Sequence, residues 1–156
     1  MAGAKSVKSL DISIKALKDV EYNAKLNGLE NVISTEQADV FEKLREYKKQ
    51  NKKFGLVILD PPAFCKNADA VKDAYKGYKD INILGMKLVE SGGYLVSCSC
   101  SHYMTFSLFE KMLKESARES GRKVKVMEVK TQSPDHPSLI SEEESVYLKF
   151  YILQVI

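Results

Sequence analysis

Phe54-Gly55-Leu56-Val57-Ile58-Leu59-Asp60-Pro61-Pro62-Ala63-Phe64 is the stretch on which the fold turns. Its first half is a near-continuous apolar run, the pattern of a parallel strand buried on both faces. Pro61 and Pro62 then stop it, since proline gives a ladder no amide hydrogen and restricts the residue before it. The run is the best candidate for a central strand. An α/β fold follows if helices alternate with strands on either side of it.

Toward the amino terminus, residues 6–11 read as a short strand, and Ser13 caps a helix with Ile14, Leu17, Val20 and Ala24 on its inner side. Asn27-Gly28 ends that helix. Residues 32–36 form a second strand, and a helix from 40 to about 51 turns Phe41, Leu44 and Tyr47 inward and Lys43, Arg45, Lys48 and Lys49 outward. Toward the carboxyl terminus, a helical stretch from about 68 to 90 ends at Gly92-Gly93. A strand follows over 94–99, then a helix from about 105 to 120 closed by Gly121. Residues 123–131 and 146–155 are two strands joined by a loop without a helix, which makes them neighbours in an antiparallel pair. The expected architecture is a mostly parallel sheet with helices on both faces and one antiparallel strand near its edge.

Composition agrees with one globular domain. The 156 residues are 44% hydrophobic and 29% charged, which excludes a disordered tail, a collagen-like fibre or a small disulfide scaffold. Twenty-four Lys and Arg against 21 Asp and Glu leave a net charge of +3, compatible with a polyanionic partner without demanding one. Cys65, Cys98 and Cys100 are too few and too clustered for a secreted disulfide framework, which argues for reduced thiols and a cytoplasmic setting. No apolar run approaches the roughly 20 residues that cross a bilayer, and no membrane partner is expected.

In open α/β sheets ligands bind beyond the carboxyl ends of the strands, so the residues just after each strand carry the chemistry. Asp11 ends the first strand at a helix amino terminus, where its carboxylate can accept hydrogen bonds from ribose hydroxyls or simply cap the helix. Asp39 follows the second strand, where it can meet the exocyclic amine of an adenine or serve as another cap. Asp60-Pro61-Pro62-Ala63-Phe64 is a sharper signal: an acid, a proline-fixed turn and an aromatic make a rigid lip able to grip a flat base. Ser97-Cys98-Ser99-Cys100-Ser101-His102 follows the next strand at the same edge. Cys100 should reach the crevice there, while Cys98, two residues earlier, belongs to the core. A thiol opposite a base-gripping loop suggests a nucleophile. Zinc is a poor competitor, because Cys98 and Cys100 are separated by a single residue with no second pair at zinc spacing, and no metal site is expected. A Cys-His hydrolase from Cys100 and His102 or His136 lacks an orienting third member. The lysine-rich run from Lys48 to Lys53 reads as a solvated helix end.

Several motifs in order extend the pattern over the whole chain. They are Ala2-Gly-Ala-Lys-Ser-Val-Lys-Ser-Leu-Asp-Ile-Ser13, Asn23-Ala-Lys-Leu-Asn-Gly-Leu29, Asp60-Pro-Pro-Ala-Phe64, Gly77-Tyr-Lys-Asp-Ile-Asn82, Ser99-Cys-Ser101, Asp135-His-Pro137 and Tyr147-Leu-Lys149. Together they resemble the S-adenosylmethionine-dependent cytosine-5 methyltransferases of large-subunit ribosomal RNA. The resemblance implies a Rossmann-like class I methyltransferase sheet, S-adenosyl-L-methionine as cofactor and ribosomal RNA as partner. It implies cofactor contacts from Asp11, Ile12, Asp39, Val40 and Asp60, base contacts from Pro61, Pro62 and Phe64, and catalysis by Cys100 as nucleophile with Asp60. Related enzymes often carry a further cysteine within the proline loop, whereas here Cys65 follows Phe64.

The family's first strand, its glycine loop and its RNA-binding PUA and linking domains have no counterpart in the 156 residues. Residues 1–156 are therefore expected to be part of a methyltransferase catalytic domain that is truncated at its amino terminus, with Met1 an internal methionine. Such a chain would expose strand edges, filled by strand exchange or by self-association into a homodimer. Two rival readings remain: an amino-group methyltransferase, whose loop an Asp-Pro-Pro-aromatic run also resembles, and a non-catalytic module that binds RNA or dimerises.

Overall fold

The computed structural model describes residues 3–65, 67–142 and 145–156. Met1 and Ala2, where the family-like run begins, lie outside the described residues. The chain divides into two compact units, residues 1–46 and 47–156.

The first unit is built on a strand-helix-strand motif: β1 (Val7–Asp11), α1 (Ile14–Leu26) and β2 (Ile33–Gln37). β1 and β2 pair in parallel, Val7 beside Ile33 and Asp11 beside Gln37, so both strands end at the same edge. α1 begins where Ser13 Oγ accepts the Ala16 N–H at 3.3 Å, and it ends at Asn27 with Gly28 at φ +65°. Leu17 and Ala24 are buried as the periodicity requires, but Ile14 is 54% exposed. Its place in the first turn, just past the end of β1, leaves it at the sheet's margin rather than over it.

α2 (Val40–Lys49) spans the boundary between the units. Leu44 and Tyr47 are buried as expected. Lys43, expected to point outward, keeps its side chain only 15% exposed, because its ammonium pairs with Glu36 at 2.5 Å and Glu46 at 2.9 Å.

In the second unit β3 (Phe54–Leu59), β4 (Val89–Ser99), β5 (Val124–Lys130) and β6 (Lys149–Val155) form one sheet in the order β3-β4-β6-β5. β3 and β4 are parallel, while β6 lies antiparallel to both β4 and β5. The expected antiparallel pair at the carboxyl end is thus present, and its second strand inserts between β4 and β5. α3 (Val71–Leu88), preceded by a 3₁₀ turn over Ala68–Ala70, and α4 (Phe106–Ser120) supply the core with Tyr78, Met86, Phe109 and Met112, all fully buried beside Leu95, Tyr151 and Leu153. Three rings knit it together: Tyr78 and Phe109 meet edge to face at 5.9 Å, and Phe109 and Tyr151 at 5.6 Å.

Two expectations need correction. β3 is not buried on both faces, since Leu56 is 53% and Ile58 61% exposed. β3 is an edge strand of its four-stranded sheet, and only its Val57/Leu59 side is covered. β4 also starts five residues early. Val89 already pairs with Phe54, and Glu90 to Gly93 are taken up as an irregularity before Tyr94 pairs with Leu56. Gly93 permits this, because a Cβ there would stand 2.7 Å from the Gly55 carbonyl oxygen. Among the described residues no helix is long and apolar enough to cross a membrane.

Candidate functional site

Sequence-predicted site residues fall in both units. In the first, Asp11 ends β1, and its Oδ1 accepts the Ser13 N–H at 2.7 Å. Asp39 follows β2, and its Oδ1 accepts the Glu42 N–H at 3.1 Å. Each carboxylate therefore steadies a helix amino terminus, as the plainer reading of each residue had it. The Ala38 N–H also bonds the Asp11 carbonyl at 3.1 Å, tying the two strand ends together. Ile12 is 69% exposed, and its carbonyl accepts from Gln37 Nε2 at 3.1 Å. Val40 is half-buried at the start of α2.

In the second unit, the pairing of Leu59 with Ser97 sets the ends of β3 and β4 side by side. Asp60 is exposed just beyond β3, and Cys100 is exposed just beyond β4. β4 is buried on both faces from Leu95 to Ser99, so Cys98 lies in the core, where it is 4% exposed, and burial together with the charges of Asp60 and Cys100 pushes its thiol up to about 12. Cys98 is thus an inert core thiol, and Cys100 is the accessible one. Pro61 and Phe64 are half-buried, and Pro62 is exposed. The Phe64 ring leans on Tyr78 at 4.8 Å, so Tyr78 supports the aromatic lip from below. Cys65 is buried, and its Sγ lies 3.2 Å from the Asn67 carbonyl.

Hydrogen bonds lock the loop after β3 to the turn that carries Cys100. The Cys65 N–H donates to Ser101 Oγ at 3.3 Å, and the Tyr78 hydroxyl lies 2.9 Å from the same oxygen. Ser99 Oγ donates to the Tyr78 hydroxyl at 2.9 Å, and the Ser101 N–H reaches Ser99 Oγ at 3.3 Å. Lys149 completes the corner. It is 2% exposed, and its ammonium donates to the carbonyls of Ser101 and Tyr147, each at 2.7 Å. Burial pulls that ammonium down to about 8, with the charge of Cys100 opposing the shift.

Tyr78, Ser99, Ser101 and Lys149 are site residues to which the sequence reading attached no role. Lys149 did leave a signal. It shares its strand parity with Tyr151, Leu153 and Val155, so a period-two reading puts a lysine on the core face. Among the described residues no group of three or more His, Cys, Asp or Glu side chains is placed to hold a metal ion.

The family model for RNA cap guanine-N2 methyltransferases matches residues 1–69. Ribosomal RNA large subunit methyltransferase I of Pseudoalteromonas atlantica is 42% identical over 99% of the chain and 40% of its own length. The enzyme of the same name from Alteromonas mediterranea is 42% identical over 98% of the chain and 39% of its own length. The chain thus spans about two fifths of the curated relatives it matches. Among solved structures, SMU.776 in complex with SAH superposes with a TM-score of 0.87 at 21% identity, over 99% of this chain and 40% of that one. The chain therefore has the α/β Rossmann-like methyltransferase fold and is similar, over nearly all its length, to one segment of the large-subunit ribosomal RNA methyltransferases I.

Proposed function

We propose that residues 1–156 form part of the catalytic domain of a cytoplasmic S-adenosylmethionine-dependent methyltransferase that modifies carbon 5 of a cytosine in large-subunit ribosomal RNA. The observation that carries this reading is an exposed thiol, Cys100, at the end of a strand whose parallel neighbour ends in Asp60 and a proline-stiffened aromatic loop. The likeness to ribosomal RNA methyltransferases supports the substrate class.

The residues present suit the cofactor. Asp11 and Asp39 stand at the carboxyl ends of two paired parallel strands, each before a helix amino terminus, the place where such sheets receive a nucleoside. They would hold its ribose and adenine ends, with Ile12 and Val40 beside them. S-adenosylmethionine supplies, when bound, an electrophilic methyl group.

The protein's part is to make a weak nucleophile strong. Carbon 5 of cytosine attacks poorly by itself, so the Cys100 thiolate first forms a bond from Sγ to carbon 6 and loads electron density onto carbon 5. Carbon 5 would then take the methyl group, the methyl–sulfonium bond breaking with its electron pair left on the sulfur, and would give up its proton to a base. The electron pair left on carbon 5 re-forms the double bond as the carbon–sulfur bond breaks and the thiolate departs. Asp60 would hold the cytosine edge through these steps, while Pro61, Pro62 and Phe64 keep the base flat in the crevice.

RNA carrying 5-fluorocytosine tests the thiol step, since fluorine cannot leave as a proton and the Sγ–carbon 6 bond should persist. A covalent protein–RNA species should form with cofactor present and vanish in Cys100→Ala. Methylation that survives Cys100→Ala would sink the reading. It would favour direct transfer to an amino group, the alternative supported by the guanine-N2 description of the family model and by the Asp-Pro-Pro-Ala-Phe loop. RNA binding without cofactor heat in a calorimetric titration would instead favour a non-catalytic RNA-binding module.

A further inference from the structure

A lysine buried to 2% normally sits against a carboxylate, because an ammonium taken out of water is costly without an opposite charge. Lys149 instead spends two of its three N–H bonds on main-chain carbonyls, those of Ser101 and Tyr147. One of these flanks Cys100 directly. On the other flank Ser99 is the ladder partner of Lys149 itself, so both peptide neighbours of the thiol are fixed by one residue. Titratable groups meet at this corner from several elements: Asp60 after β3, Tyr78 of α3, Cys98 and Cys100 at the end of β4, and Tyr147 before β6. Burial lowers the Lys149 ammonium, and the charge of Cys100 opposes that shift.

We propose that Lys149 is a positioning residue for Cys100, clamping the turn that presents the thiol and setting a positive charge beside its sulfur. The inference rests on the reading of Cys100 as nucleophile. It adds the device that readies the thiol before any ligand arrives. A thiolate is the attacking species, and below about pH 8, where Lys149 keeps its proton, the neighbouring cation favours it over the thiol. A carboxylate partner for Lys149 would cancel that field, so carbonyl partners, which satisfy the donors and leave the charge, suit the task. The serine and tyrosine hydroxyls around Ser101 are neutral and serve the same end, rigidity without competing charge.

Alkylation of Cys100 by iodoacetamide, followed by mass spectrometry from pH 6 to 10 on the 156-residue chain, tests this without cofactor or RNA. Cys65 and Cys98 are buried and react slowly by comparison. Lys149→Met and Lys149→Gln should slow Cys100 alkylation at pH 7.5 about tenfold. Lys149→Arg, which keeps the charge, should restore most of the rate. Folded Met and Gln variants that alkylate Cys100 at the wild-type rate across this pH range would overturn the proposal.

Should those variants fail to fold, the coupling is read from its other end. The Lys149 ammonium, followed by ¹⁵N NMR, should lose its proton at lower pH in Cys100→Ala than in wild type, and an unchanged midpoint would overturn the proposal. The two readings separate cleanly. A Lys149 effect on alkylation without any thiol adduct on fluorocytosine RNA removes the nucleophile reading, whereas adduct formation with no Lys149 effect removes only this one.

Discussion

Cys98 and Cys100 are two residues apart and chemically unlike. β4 buries the first between its two covered faces and stops short of the second, so the difference is one of place rather than of residue type. Lys149 shows the converse, a charged side chain placed where the fold would accept an apolar one. Its depressed proton affinity has a thermodynamic consequence. The unfolded lysine still holds its proton between about pH 8 and 10.5 while the folded one has lost it, so this group makes the protein more stable as pH rises through that window. The component amounts to about 3 kcal/mol. Cys98 works in the opposite direction from pH 9 upward, since its folded thiol keeps a proton that the unfolded one releases. The contribution of Lys149 therefore appears as a difference. Urea unfolding of wild type and Lys149→Met at pH 7.5, 8.5 and 9.5 should show the wild type gaining on the variant at each step, and parallel curves would contradict the assignment. At Asp60, Asn should lower methyl transfer by about 10- to 100-fold if the carboxylate holds the base, with little change in stability for so exposed a group.

The elements are specified largely by their ends. Ser13 and Thr105 cap α1 and α4, and Asn27-Gly28 and Gly121 close them, as the residue types announce. Thr105 Oγ1 accepts the Leu108 N–H at 3.3 Å, so Thr105→Ala should cost about 1 kcal/mol in chemical unfolding. The start of β4 was less legible. Gly92-Gly93 reads as punctuation between helix and strand, yet the chain enters the sheet at Val89 and carries both glycines inside the strand. The physical reason is a neighbour that sequence does not display, for Gly93 lies against the Gly55 carbonyl of β3. Gly93→Ala should destabilise the protein by about 1 to 3 kcal/mol, the usual cost of overpacking, whereas Ser91→Ala should be near neutral.

At the scale of the molecule, apolar surface remains uncovered. Leu56 and Ile58 on β3 are more than half exposed, as are Val126 and Met127 on β5. Exposed apolar strand faces at sheet edges invite pairing with another chain. Light scattering should find a species larger than a monomer, and Leu56→Lys with Ile58→Lys should shift it toward the monomer; a monodisperse wild-type monomer would refute the idea. The interior behaves differently. Phe109 joins α3, α4 and β6 through its contacts with Tyr78 and Tyr151, so Phe109→Ala should cost about 3 to 5 kcal/mol and loosen the support beneath Phe64 as well.

Local chemistry determined what the sequence could announce by itself. Apolar period and helix caps marked the strands and helices, and proline marked the end of β3. The rule that ligands gather at strand ends singled out Asp11, Asp39, Asp60 and Cys100. Those signals lie within a few residues of one another, and sequence displays neighbours of that kind. Only the tertiary structure decided the rest. β3 became an edge strand, β6 entered between β4 and β5, and Lys149 arrived at a carbonyl 48 residues away in the chain. Each depends on which strand lies beside which, and that is settled by the packing of the whole unit rather than by any residue's own preference.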